Sequence, residues 1–588
     1  MRHFLLAVCC AFSLMAQPKP IEWAKGIVWY RILTERFSNG DSANNPTGDK
    51  VFVNSKNQPA NWQVTPWGNN WFEMELWEKE LGVTLNEAIN YRRYGGDLQG
   101  LINRLDYLKK LGIGGICLSP MFEAVSSHKY DASSFHHIDV DFGPNPELDK
   151  KLIAGETPDK PATWQMTSAD KLFFKFLDEA HKRGLRVIID AVFNHTSVEF
   201  WAFKDIVKNQ KNSVYADWYQ IKSFLNESDS LSKFDYKGWR NAKFLPEFNR
   251  TKENLLQPIK EYIIAAAKKW MDPNGDGNPS DGIDGWQIDV AGDVPVGFWQ
   301  DWHGMVKSTN PGAIIFRESG ELSQGIPGDN SVFDGSVNCN LANAAEDFFV
   351  ARENKITADT LIRRLQQIDK TYSADNLHVV QNLLSSRDTE HSLSMIENTD
   401  HNAGPWNEIY KQGNLSRANL DILKLLIVFQ MTYRGAPMLY YGDEAAMSAD
   451  DLHNRKPMVW DDIDYQDAVP LAEAGFFSHG KYRVKVDKNI LNFYKRMILY
   501  RNSFESLKSG SVEFLPVSKE NEYVFGYKRT SGSETILVIF NLSKQTEIID
   551  IPVFGTEVWD FSVGDKVKIS SPNLRIVLWG KSYAMYKI

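Results

Sequence analysis

The sequence predicts an α/β protein built on a closed parallel (β/α)8, or TIM, barrel, with a subdomain inserted after the third strand and an antiparallel β-sandwich at the C-terminus. Three observations predict it. Eight short β-rich apolar runs alternate with amphipathic helical stretches, which favours a closed parallel barrel over an open sheet. The interval between the third strand and its helix is long enough for a small domain. From about Ser509 the period changes to alternation in short runs, such as YVFGYK and TILVIFNL.

The first sixteen residues read as an export leader: a basic start at Met1-Arg2-His3, an apolar run from Phe4 to Met15, and a small Ala16 before Gln17. Cys9 and Cys10 fit lipid attachment poorly, because Val8 and Cys9 are not the small residue needed before an acylated Cys. The run is too short to span a bilayer, and no later stretch approaches twenty apolar residues. Gly26–Leu33 is the first strand and Asp97–Leu111 the first helix. Gly114–Pro120 is the next strand, and Ser168–Arg183 a helix opened by a Ser cap. Leu185–Ala191, the helix Asn254–Met271, Gly285–Val290 and Ala313–Glu318 follow, then Ser331–Leu341, Val379–Asp388 and Met438–Glu444 as the last strands. The organisation is therefore a leader 1–16, barrel 17–195, inserted subdomain 196–250, barrel 251–505 and sandwich 506–588. A Pro- and Gly-rich excursion, Met121–Met166, and an irregular stretch with Trp62, Trp67, Trp71 and Trp77 decorate the barrel.

The 588 residues are 43% hydrophobic and 24% charged, which excludes a disordered or fibrous chain. A net charge of −9 without a long Lys/Arg run argues against nucleic acid or an anionic membrane as partner. Aromatic residues reach 12%, and flat rings suit sugars as well as cores. Past the leader only Cys117 and Cys339 remain, both in apolar strand-like runs, so they read as buried free thiols.

Barrel enzymes place their chemistry at the C-terminal ends of the strands. Those ends carry Asp190, Asp289, Glu318, Asp388 and Glu444, with Asn194 and His195 just past the third. Crowded carboxylates shift one another's pKa, keeping one protonated as an acid while another stays ionised as a nucleophile. Glycoside cleavage through an oxocarbenium-like transition state needs such a pair.

The motifs run in order: HKYD (128–131), DAVFNH (190–195), LPEFN (245–249), DGWQIDV (284–290), IIFRE (314–318), NLLSSRDT (382–389) and APMLYYGDE (436–444). Together, from about Ile21 to the C-terminus, they resemble the alpha-amylase family of retaining glycoside hydrolases, nearest its neopullulanase and cyclomaltodextrinase branch. The resemblance implies that Asp289 is the nucleophile and Glu318 the acid/base; spacing from Trp299 favours Glu318 over Glu321. It implies that Asp388 holds the sugar's 2- and 3-hydroxyls, that Tyr130 stacks under the ring and that His195 donates to the 6-hydroxyl. Asp190 and the residues at 287 and 387 belong to the same substrate-binding set.

Three positions depart from the family pattern. Gln287 stands where the family has an Arg two residues before the nucleophile, Arg387 where it has a sugar-contacting His, and Arg317 where a Gly is usual. An amide donates hydrogen bonds but carries no charge, so Asp289 should have a higher pKa than its relatives' nucleophile. Relocation of the cation to Arg387, decay into a sugar binder, and altered linkage preference all fit. Strand alternation turns Arg317 away from the side of Glu318, which favours Arg387 as the relocated cation.

Two loops are candidates for structural calcium. Asn39, Asp41, Asn44 and Asn45, with Gly95 and Asp97, resemble a calcium loop of related enzymes, although Asn45 replaces a usual Asp; an ion-free Asx turn is the alternative. Asp272, Asn274 and Asp276 followed by Gly277 match the first half of an EF-hand loop, which Asp281 or Asp284 could close; here too a plain turn is the alternative. No His/Cys cluster in the sequence suggests zinc. The expectation is an exported, periplasmic or secreted hydrolase of α-1,4 bonds in maltooligosaccharides, cyclodextrins or pullulan. The alternatives are a non-catalytic starch-binding protein on the same fold, and a glucosyltransferase or isomerase. Linkage preference, product size and oligomeric state leave no mark in these motifs.

Overall fold

The computed structural model describes residues 21–53, 55, 57–225, 233–318, 332–351, 355–373, 376–399, 411–413, 416–450, 453–469, 481–515, 520–553, 555–569 and 572–588. The leader reading of 1–16 and the alternative acid Glu321 lie outside them.

Eight parallel strands form the barrel: β1 Trp29–Ile32, β2 Gly115–Leu118, β3 Arg186–Val192, β4 Gly285–Asp289, β5 Ile314–Arg317, β6 Gly335–Ser336, β7 Gln381–Leu383 and β8 Ala436–Tyr440. They pair in the order β6-β5-β4-β3-β2-β1-β8-β7. A parallel bridge between Val337 and Gln381 closes the ring. Most of the strands are buried throughout, as parallel strands covered on both faces must be, which is why they read as apolar runs.

Helices lie between the strands. These are α1 Leu98–Leu111, α2 Ser168–Lys182, α3 Gln257–Met271, α4 Val296–Thr309, α5 Cys339–Ala345, α6 Ala358–Asp369, α7 Arg417–Thr432 and α8 Lys488–Ser503. Helix α1 opens where the Asp97 carboxylate accepts from the Gly100 N–H and ends at Gly112, whose φ of 94° a Cβ would strain. Helix α2 is capped by Thr167 rather than Ser168, in a reciprocal box with Asp170. The strand expected over 331–341 shrinks to Gly335–Ser336, because the Asn338 side chain accepts from Leu341 N–H and starts α5. The run from 379 to 388 is strand only over β7; Ser386–Asp388 leave the sheet to form the rim of the barrel mouth.

The excursion after β3 contains a helix, Trp201–Asn209, and a short hairpin of Ile221–Ser223 with Asp235–Tyr236. Bridges from His195 to Glu247 and from Tyr219 to Phe248 tie it back to the end of β3. Of the four tryptophans of 62–77, Trp71 and Trp77 are buried and Trp62 and Trp67 partly so, Trp67 donating to the Met458 carbonyl at 2.9 Å. Trp71 stacks on Tyr94 at 6.0 Å and Trp77 packs against Phe52 and Trp62, filling small satellite cores.

The C-terminal unit comprises β9 Ser511–Leu515, β10 Val524–Ser531, β11 Glu534–Asn541, β12 Glu547–Pro552, β13 Glu557–Asp560, β14 Asp565–Lys568, β15 Asn573–Leu578 and β16 Ser582–Lys587. Six of them pair in the order β9-β10-β11-β16-β13-β14, and β12 pairs with β15. The two antiparallel sheets enclose an aliphatic core that includes Val524, Leu537, Ile549, Ile551, Leu574 and Ile576. Arg529 on β10 donates to the carbonyl of Thr432 at 2.5 Å, anchoring the unit to the end of α7. Among the described residues no helix is long and apolar enough to cross a membrane.

Candidate active site

Strand alternation builds the site. Residues 29 and 31, 188 and 190, and 316 and 318 lie two apart, so each pair faces the same side of its strand. Trp29, Ile188 and Phe316 pack inside the barrel with Cys117, Ile314 and Met438. Two residues further on, at the mouth, the same faces carry Arg31, Asp190 and Glu318, and β4 ends on Asp289.

Arg387, on the rim after β7, reaches into their centre. Its Nη2 lies 2.7 Å from Glu318 Oε2 and 3.0 Å from Asp289 Oδ2. Its Nη1 lies 3.4 Å from Asp190 Oδ2 and 3.3 Å from Glu318 Oε1. The guanidinium sits 4.3 Å over the Tyr130 ring. Arg31 supplies a second cation: it pairs with Asp190, and its Nη1 lies 3.4 Å from Glu318 Oε1. Tyr130 OH donates to Asp190 at 2.7 Å. Asp190 Oδ1 is buried without a protein partner.

Three carboxylates thus face two guanidiniums, leaving one net negative charge if all are ionised. Burial, reinforced by Glu318, raises the Asp289 carboxyl well above its usual range, and Arg387 offsets only part of that. Burial pushes Glu318 up too, but Arg387 and Arg31 outweigh it and hold this carboxyl below its usual range. In the free site Asp289 is therefore the carboxyl more prone than Glu318 to hold a proton.

His195 is buried and stacks on Trp239 of the inserted subdomain at 4.8 Å with the rings 21° apart. Burial lowers its pKa to about 4, so the imidazole is neutral at pH 7 and donates from one nitrogen only. Trp239 is itself held by an Nε1 hydrogen bond to Asp293 at 2.8 Å. Asp388 stands on the outer lip with its side chain 57% exposed, 3.2 Å from Arg387 Nε and 3.4 Å from Arg455. Gln287 lies below the site: its Oε1 accepts from the Cys117 thiol at 3.2 Å and its Nε2 is buried without a partner. The amide therefore does not substitute for the missing Arg. Glu444 also stands apart, accepting 2.7 Å hydrogen bonds from the hydroxyls of Tyr30 and Tyr107.

Each candidate calcium loop keeps side-chain oxygens without a protein partner, the groups a hard cation would use. In the first, Asn39 donates to Asn45 Oδ1 at 2.8 Å, Asp97 accepts from the N–H groups of Gly40 and Asp41, and Asn44 Oδ1 is buried without a partner. Gly95 is required there, since a Cβ would come within 2.1 Å of Asn45 Oδ1. In the second, Asn274 donates to Asp276 at 3.1 Å and Asp281 at 2.9 Å, while Asp272 Oδ1 and Asp281 Oδ1 are buried without partners. Asp281 rather than Asp284 joins this set; Asp284 accepts from His181 and from Val187 N–H at 2.8 Å each. The second loop follows α3 and precedes β4, at the barrel end away from the carboxylates.

A family model described as "Alpha amylase, catalytic domain" matches residues 31–155 and 167–510. The chain belongs to the alpha-amylase family. It is a glycoside hydrolase of that family, with cyclomaltodextrinase- and neopullulanase-like relatives. It is 29% identical over 572 residues to a cyclomaltodextrinase of Geobacillus thermopakistaniensis, covering 96% of this chain and 78% of the relative. It is 30% identical over 562 residues to neopullulanase 2 of Thermoactinomyces vulgaris, covering 95% and 77%. A solved cyclomaltodextrinase structure superposes with a TM-score of 0.70 at 27% identity, over 97% of this chain and 79% of that one.

Within this alpha-amylase family site, sequence reasoning missed Arg31 and Trp239. Arg31 had a signal: a charge in the middle of a run that must be a buried barrel strand, in phase with an inward Trp29. Trp239 had none, because its packing on His195 depends on how the inserted subdomain folds back.

Proposed function

We propose that the protein is a retaining α-glucan hydrolase acting on α-1,4 bonds of maltooligosaccharides, cyclodextrins or pullulan. The observation that carries this reading is the convergence of Asp289 and Glu318 on the Arg387 guanidinium. The names of the relatives support the substrate class.

The mechanism follows from the charges. A sugar that stacks on Tyr130 must take the face that Arg387 now covers. If Arg387 keeps Asp289 and gives up Glu318, the nucleophile loses its proton and Glu318, with only the longer Arg31 contact left, gains one. Glu318 then protonates the glycosidic oxygen as Asp289 attacks C1, giving a β-glucosyl ester. Water deprotonated by Glu318 next attacks C1 and releases a product of retained configuration. The net negative charge of the cluster balances the developing oxocarbenium ion. The free Asp190 Oδ1 accepts from a sugar hydroxyl, and His195 donates to another. Calcium at the Asn39–Asp97 and Asp272–Asp281 loops is structural in this reading, and residues 1–16 direct export.

The test is reducing-end release from maltoheptaose, β-cyclodextrin and pullulan by wild type and by Asp289→Asn, with the anomer of the first product read by NMR. Release of the α-anomer, abolished in Asp289→Asn, is expected. Tight maltooligosaccharide binding without release by wild type would overturn the reading in favour of a receptor.

A further inference from the structure

Outside the cleft, the segment that carries Tyr130 continues to His136 and His137, and these two rings meet Glu156, which follows the short helix Pro146–Ala154. His136 Nε2 lies 3.2 Å and His137 Nε2 2.9 Å from the same Glu156 Oε2. The three side chains are 2%, 0% and 0% exposed, and their ligand atoms all lie within 4.8 Å of one another.

The far side of each ring is fixed as well. His137 Nδ1 lies 3.0 Å from Asp170 Oδ2, which also pairs with Lys269 at 2.7 Å. His136 Nδ1 lies 2.8 Å from the Tyr262 hydroxyl and 3.0 Å from Ser134 Oγ. Glu156 Oε1 accepts from Gln165 N–H at 2.5 Å, leaving Oε2 to the two imidazoles. Trp164 stacks on His136 at 4.3 Å, 11° from parallel, and covers the cluster.

Two imidazoles aimed at one carboxylate oxygen, with both remote nitrogens held by a carboxylate and a hydroxyl, form the donor set and outer shell of a divalent transition metal. Metal–ligand bonds of about 2.0–2.1 Å in a tetrahedron imply ligand–ligand edges of roughly 3.3 Å, close to the two separations seen. We propose that His136 Nε2, His137 Nε2 and Glu156 Oε2 bind one zinc ion, with a water at the fourth corner. The linear sequence hides the set because Glu156 follows His137 by 19 residues. The ion would brace the strand-like return of residues 132–139, which begins just past Tyr130, against α2 and α3. It is separate from both calcium loops in residues and in chemistry, and it does not depend on the substrate assigned above.

The test uses the full chain, stripped with a chelator, dialysed against zinc sulfate and gel-filtered, with metal read by mass spectrometry. One zinc per chain is expected, as are the intense visible bands of four-coordinate cobalt after reloading with cobalt(II). Glu156→Gln and the double variant His136→Gln/His137→Gln should lose both signals. The double variant Asp272→Ala/Asp276→Ala, in the calcium loop, should keep them. A wild-type chain with a folded circular dichroism spectrum that takes up no stoichiometric zinc and shows no cobalt bands overturns the proposal, whatever the variants do. So does loss of the zinc from the calcium-loop variant alone.

Discussion

Arg31, on the first barrel strand, and Arg387, on the rim after the seventh, share one oxygen of Glu318, at 3.4 and 3.3 Å. Of the two, only Arg387 also contacts Asp289, at 3.0 Å; Arg31 pairs with Asp190 and Glu318. Gln287, two residues before the nucleophile, turns to Cys117.

Removing Arg387 therefore strips the only cation in contact with Asp289 among the described residues. Arg387→Ala is expected to lower kcat/KM on maltoheptaose by roughly 100-fold or more, the scale seen for loss of one preorganised charge donor. Adding Gln287→Arg to it should recover part of that loss. An Arg387→Ala enzyme faster than wild type would instead make Arg387 a plug, and sink the relocation reading.

Glu444 sets a pH dependence of stability. Burial raises its pKa from 4.5 to about 7, although the Tyr107 and Tyr30 hydroxyls pull the other way. Between these values the folded chain holds a proton that the unfolded chain has released, so stability falls as pH rises through this window. The loss is roughly 2–3 kcal/mol between pH 5 and 8. Urea unfolding at both pH values should show a smaller drop in Glu444→Gln than in wild type. An equal drop in the two proteins would exclude Glu444 as its source.

The His195–Trp239 stack gives the inserted subdomain a direct hand in the site. Trp239→Ala should weaken binding by about 1 kcal/mol, near five-fold in KM, with a smaller change in kcat. A drop in kcat at constant KM would place the ring's effect in the chemical step instead.

Calcium should report through stability rather than turnover. Treatment with EGTA is expected to lower the Tm by several degrees, restored by calcium and not by magnesium. Asp276→Asn should reduce the calcium-dependent part of that shift. A Tm indifferent to EGTA in wild type would leave the two loops as plain Asx turns.

Much of this molecule was legible in its sequence, for physical reasons that differ by element. The barrel strands were readable because burial on both faces demands largely apolar runs, and Asp190, Asp289 and Glu318 because each stands in the last residues of such a run or just past it. Strand β6 was overread: its apolar neighbours pack as the helix that Asn338 starts, and nothing in their order separates the two states. The tryptophans of 62–77 were open to both readings, since a ring that binds sugar and a ring that fills a core have the same composition. Arg31 and the His136–His137–Glu156 cluster required the third dimension, one because strand phase had to be carried into the barrel, the other because its members are brought together by a turn of chain.

The barrel is not equally fastened all the way round. Strands β3 and β4 are aligned over five positions, whereas β5 meets β6 over two and β6 meets β7 through the single bridge at Val337. Amide protons along that join should exchange with solvent well before those of β3, because opening there breaks the fewest backbone hydrogen bonds. Arg387 hangs from the far side of this join, four residues beyond β7. Arg387 is thus mounted beside the loosest join of the barrel, while Asp190 and Asp289 stand on the firmly paired strands β3 and β4.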